Sequence, residues 1–139
     1  MLEALHLSST AGFCALLWIT QVLVYPQFRR VPTPQFAPYH AAHLRLMLPL
    51  VAPFFLGETL CMARAVLFGW EAAPLRQSAS LALYAIVYGS TFAYFAPLHQ
   101  RLASEPSPER IERLIRANWL RTLAESARLA VVFSLNVQG

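Results

Sequence analysis

The sequence predicts an all-α integral membrane protein, a four-helix up-down bundle forming one domain over residues 1–139. Three observations predict it. Hydrophobic residues make up 57% of the chain and charged residues 13%, against about 25% charged in a soluble domain. A chain this short cannot hide so much apolar surface, because small domains bury only about 60–70% of what the unfolded chain exposes. Two uncharged stretches have the length of a bilayer, and two further apolar stretches carry their charges at helical spacing.

The first helix is predicted over residues 5–25, with no charge and one amide, Gln21; Pro26 helps to end it. Its first charge is Glu3 and its apolar run is long, which is unlike a cleaved signal peptide. Thr33-Pro34 reads as an N-cap followed by proline, so the second helix is predicted over 34–70. Pro49 and Pro53 fall inside it, which membrane helices tolerate, and Glu58 interrupts its apolar part. The third helix, 78–98, carries no charge. Ser107-Pro108-Glu109 is a second helix start, and the fourth helix is predicted over 108–136. Its first third is charged; Arg121, Glu125 and Arg128 interrupt the apolar remainder. A competing topology lays this helix partly along the interface.

All 11 basic residues are arginine. They form no continuous basic stripe, which argues against nucleic acid as a partner. Six of them, Arg29, Arg30, Arg101, Arg110, Arg113 and Arg116, fall at one end of the predicted bundle, with Arg45 and Arg121 nearby; Arg76 lies at the other, with Arg64 nearby. The positive-inside rule then predicts a multi-pass protein with loops 26–38 and 99–110 cytoplasmic and both termini on the other side, which for a protein of the bacterial inner membrane is the periplasm. Cys14 and Cys61 belong to no CxxC or CxxH pattern and read as small buried hydrophobes.

Helical spacing collects the polar side chains onto one stripe per helix. These are Cys14, Trp18, Gln21 and Tyr25; Phe36, His40, His43, Met47, Phe54, Glu58 and Cys61; Tyr88, Phe92, Phe95 and His99; and Asn118, Arg121, Glu125 and Arg128. Counted from Leu46, Glu58 lies about 18 Å deep, and counted from Trp119, Arg128 lies about 14 Å deep. A mid-membrane charge costs at least about 2.5–3.5 kcal/mol, so a buried ion pair between them is expected. Glu58, Glu125 and Arg128 are read as structural buried charges, with Arg121 able to pair with Glu125 at i, i+4. At the arginine-rich end His40, His43 and His99 converge near one depth. They read either as interfacial structural histidines, as metal or haem ligands, or as part of a small-ligand site.

The run Asn118-Trp119-Leu120-Arg121-Thr122-Leu123, then Ser126-Ala127-Arg128, accompanies Phe36-x-x-Tyr39-His40-x-x-His43, Pro49, Pro53 and Glu58. Together they resemble small four-helix bacterial membrane proteins of unknown function, distantly similar to the membrane family that includes anthrone oxygenases. The resemblance spans most of the chain. It implies the same four-helix fold, with the Asn118–Arg121 pair on the last helix as its hallmark.

Two functions fit these residues. In the first, the protein binds a small ligand or cofactor at the cytoplasmic end of the bundle, with Gln21, Tyr25, Asn118 and Arg121 contacting the ligand and His40, His43 and His99 holding a metal or cofactor. An oxidoreductase is one form of it. In the second, the chain is a non-catalytic accessory or assembly subunit, its aromatic faces packed on other membrane subunits or on further copies of itself. Neither names a cofactor. No phosphate loop, nucleophile elbow or HExxH motif is present.

Overall fold

The computed structural model describes residues 2–68 and 73–137. They form a four-helix, all-α bundle in which the described residues include no strand: α1 Leu2–Arg30, α2 Thr33–Phe68, α3 Pro74–Ser104 and α4 Pro108–Val137. The first three are long and apolar enough to cross a membrane. The expected end of the second helix at Trp70, and the start of the 71–77 turn, lie outside the described residues.

Two helices run on past their expected ends at residues 25 and 98, the first of them through the Pro26 expected to help end it. α1 continues to Arg30 through Pro26, and α3 continues to Ser104 through Pro97. In both, a π-helical turn immediately precedes the proline: Thr20–Val24 in α1 and Thr91–Phe95 in α3. Proline offers no N–H and its ring crowds the carbonyl four residues back. The widened turn moves the bonding one residue on, so that Tyr25 N–H donates to Thr20 O and Ala96 N–H to Thr91 O. The chain therefore absorbs each proline, and the connections at this end shrink to residues 31–32 and 105–107.

α1 packs on both α2 and α4, and α3 packs on α4. α1 and α2 approach closely at small residues: a Cβ on Gly12 would lie 2.2 Å from the Phe54 ring, and one on Gly57 would lie 2.2 Å from Ser9 Oγ. At the arginine-rich end, Tyr25, Phe28, Phe36, Phe95, Leu102 and Leu114 form one apolar cluster. Arg29 clips this end shut with a bidentate pair to Glu112, Nε–Oε1 2.5 Å and Nη2–Oε2 2.9 Å. That donated pair holds the Glu112 carboxyl below the usual carboxylate range.

Deeper in, Arg128, Glu58 and Glu125 are fully buried. Arg128 Nη1 lies 2.8 Å from Glu58 Oε1 and 3.1 Å from Glu125 Oε1. Its Nη2 lies 3.2 Å from His6 Nε2 on α1, and its guanidinium carbon stands 5.2 Å from the centre of the Tyr84 ring on α3. The Tyr88 hydroxyl, also on α3, donates to Glu58 Oε2. Side chains of all four helices thus meet at one guanidinium. The expected Arg121–Glu125 pair does not form. Glu125 turns to Arg128 at i, i+3 instead, where Glu58 already brings a second carboxylate to the same cation. These contacts hold α4 against the other three helices.

Removing one partner of a buried pair strands the other, so Arg128→Met is expected to cost about 3–5 kcal/mol by leaving two carboxylates face to face. Adding Glu58→Gln and Glu125→Gln to that variant should recover a large part of the loss. Thermal unfolding in a mild detergent, followed by far-UV circular dichroism, measures both. A triple variant no more stable than Arg128→Met would show that the cluster's charges do not govern the fold.

Candidate functional site

α2 and α3 are held together at two levels. Near the arginine-rich end, His40 Nε2 and His99 Nδ1 are 2.8 Å apart. Further along, Thr59 Oγ1 and Tyr84 Oη are 2.7 Å apart, beside the Glu58–Tyr88 contact. Between these clamps the two helices enclose a cavity of about 460 Å³. α2 lines it with His43, Leu44, Met47, Leu48 and Val51; α1 adds Phe13, Leu17, Thr20 and Tyr25. α3 adds Thr91, Phe92, Phe95 and His99, and α4 adds Arg121 alone. Leu48 is 70% and Phe92 62% exposed, so this wall faces outward from the bundle.

The local sequence explains why the space lies there. Both π turns border it, and Thr20 and Thr91, their first residues, line it at the same six-residue spacing before Pro26 and Pro97. A π turn displaces the backbone outward by one extra residue and re-aims the side chains that follow. Those side chains are Tyr25 on α1 and His99 on α3.

The polar end of the cavity is a connected chain. Tyr25 Oη is 3.1 Å from His99 Nε2, and His99 Nδ1 is 2.8 Å from His40 Nε2; His40 Nδ1 has no partner among the described residues. Two hydrogen arrangements satisfy it. In one, Tyr25 donates to His99, which donates to His40. In the other, His40 donates to His99, which donates to the Tyr25 oxygen and frees the Tyr25 hydrogen for the cavity. The chain can therefore present either a donor or an acceptor at Tyr25. His43 packs edge-on against Phe28, ring centres 5.1 Å apart, and also lines the cavity.

Arg121 is 8% exposed. Its guanidinium carbon lies 4.4 Å from the Phe95 ring centre, and its Nε has no hydrogen-bond partner among the described residues. Gln21 and Asn118 stand apart from the cavity and bond each other: Asn118 Nδ2 donates to Gln21 Oε1 at 2.9 Å, and Gln21 Nε2 donates to the Ile115 carbonyl at 3.2 Å. Of the four residues expected to contact a ligand, the structure brings Tyr25 and Arg121 to the cavity wall and joins the other two as a buried amide pair. Of the three histidines, His40 and His99 bond directly, while His43 and His99 face the cavity. Among the described residues, no three His, Cys, Asp or Glu side chains are grouped so as to hold one metal ion.

Sequence reasoning passed over His6, Tyr84 and the cavity itself. His6 continues the inward face of α1 through Thr10, Phe13 and Leu17, all buried, and that 3.6-residue spacing was the available signal. Comparison with family models, curated proteins and solved structures gave no match for this chain.

The His40–His99–Tyr25 chain should behave as a unit. His99→Ala leaves two buried polar groups without their partner, at a cost of about 1–3 kcal/mol each. His40→Ala added to His99→Ala should then cost less than the two single losses summed. A double-mutant cycle on detergent unfolding tests this; strict additivity would mean that the three groups are energetically independent.

Proposed function

We propose that this protein binds a lipophilic small molecule in the cavity between α2 and α3, taken up sideways from the bilayer. The ligand's polar end sits among Tyr25, His43, His99 and Arg121. The observation that carries this reading is the cavity's asymmetry. Its walls are apolar from Val51 to Leu44 and from Phe13 to Leu17, while the hydrogen-bonding groups gather at one end, toward the end of the bundle that carries most of the arginines. Ligand sites are typically apolar hollows of about 300–1,000 Å³ with a few converging polar groups, and this one falls in that range. An organic ligand suits the donor set better than a metal does, because His40 Nε2 and His99 Nδ1 are engaged with each other and no group of three metal-ligating side chains forms among the described residues.

On the positive-inside rule, the polar end faces the cytoplasm and both termini face the periplasm. Fusions of a periplasm-active and a cytoplasm-active reporter to the C-terminus test this; activity of only the cytoplasmic reporter would reverse the orientation.

Binding is tested with 1-dodecanol, a neutral single-chain probe, by native mass spectrometry in a neutral detergent. Wild-type protein is expected to carry one saturable adduct. Val51→Trp, which puts an indole into the apolar part of the cavity, should lose it at unchanged helicity. Equal adduct formation by both proteins, or none by the wild type, would overturn the reading.

A further inference from the structure

We infer that the ligand of this cavity is a single-chain monoanion, a fatty carboxylate whose head is held by Arg121. This rests on the binding reading above and names its ligand class.

The argument begins with charge. The buried cation on α4 seven residues further on, Arg128, meets two carboxylates. Arg121 is nearly as buried, yet it forms no ion pair among the described residues. Stacking over Phe95 offsets part of its desolvation through the ring face but leaves the in-plane N–H groups to be satisfied. Its Nε has no partner among the described residues; Arg128 Nε has none either, so what separates the two arginines is the pair of carboxylates on Arg128. Among the described residues no carboxylate lines the cavity, so the described wall carries one permanent positive charge and no negative one. A buried guanidinium beside a phenol, with its Nε unpartnered and no carboxylate on it among the described residues, fits a carboxylate, which accepts two parallel N–H donors.

Head-group charge and shape narrow the class. One guanidinium balances one carboxylate. A phosphate monoester carries about −1.5 to −2 near neutral pH and would leave an excess charge with no second permanent cation on the wall. His43 and Tyr25 lie on the same wall and can each donate one further hydrogen bond to the head. Beyond the head, the α2 wall runs eight residues from His43 to Val51, about 12 Å of helix. That is a slot for one extended alkyl chain. Its exposed flank at Leu48 and Phe92 lets such a chain slide in from the membrane without crossing water.

The test compares dodecanoate with 1-dodecanol on the whole protein, by native mass spectrometry and by calorimetric titration in neutral detergent. Dodecanoate is expected to bind one to one and at least about tenfold more tightly than the alcohol, the scale of a hydrogen-bonded charge. Arg121→Gln should remove that difference, bringing dodecanoate down to the level of dodecanol measured on the same variant. Arg121→Lys keeps the charge but not the fork and should retain part of it. Dodecyl phosphate should bind more weakly than dodecanoate. Should Arg121→Gln fail to fold, the wild-type ranking of the three probes still decides. Equal binding of alcohol and carboxylate would overturn the anionic ligand while leaving the cavity reading intact. Absence of both adducts would overturn the cavity reading itself.

Discussion

One guanidinium organises this bundle. Arg128 meets Glu58 from α2, Glu125 from its own helix, His6 from α1 and the Tyr84 ring from α3. Each partner is needed because a buried charge left uncompensated costs several kcal/mol, whereas a saturated cluster roughly breaks even. The net gain in stability is modest, but the gain in register is large. If any helix slides by one residue, its polar group turns about 100° away from the cation, and both are left unsatisfied in apolar surroundings. α4 is the least apolar of the four helices and does not meet the length-and-hydropathy standard of a spanning segment. It is held in the bundle by what its charges meet, not by its own affinity for lipid.

That constraint has a consequence at the other level of the bundle. With α2 and α3 pinned at Glu58–Tyr88 and Thr59–Tyr84, and again at His40–His99, the stretch between is free of the need to pack tightly. The π turns of α1 and α3 fall in that stretch. Each reconciles a continuous helix with a proline, and each adds a residue's worth of girth where the cavity lies. A regular helix in both places would carry Tyr25 and His99 on different headings. The cavity is thus the product of two polar clamps and two proline-driven bulges.

The fold class was legible because hydropathy and length act over whole segments. The Glu58–Arg128 contact was legible too, since depth follows from counting residues and two opposite charges at one depth have few alternatives in lipid. What counting cannot do is choose among equivalent neighbours. Arg121 and Arg128 both reach Glu125 along α4, at i+4 and i+3, and only the arrival of Glu58 from another helix decides between them. Gln21 and Asn118 looked like ligand contacts for the same reason: a stripe shows which side chains face inward, not which of them satisfy each other. Phe92 shows a second limit. Its spacing from Tyr88 and Phe95 puts it on the inward stripe, but it sits within a π turn, where the 3.6-residue period no longer holds, and it is 62% exposed. Trp18 was placed inward as well; it stays partly exposed while its indole N–H donates to Ser126 Oγ at 3.0 Å.

The two buried arginines of α4 make the strongest contrast in the molecule. They are seven residues apart, on one face, about 10 Å along the same helix. One is enclosed by two carboxylates and an imidazole. The other has an aromatic ring on one side and a cavity on the other. Stability alone would favour an apolar residue at the second position, since a lone buried cation is a liability. The first arginine is consumed by the fold, because the bundle's only fully buried carboxylates among the described residues have both gone to it. The second meets no carboxylate among the described residues and lies on the cavity wall beside Tyr25.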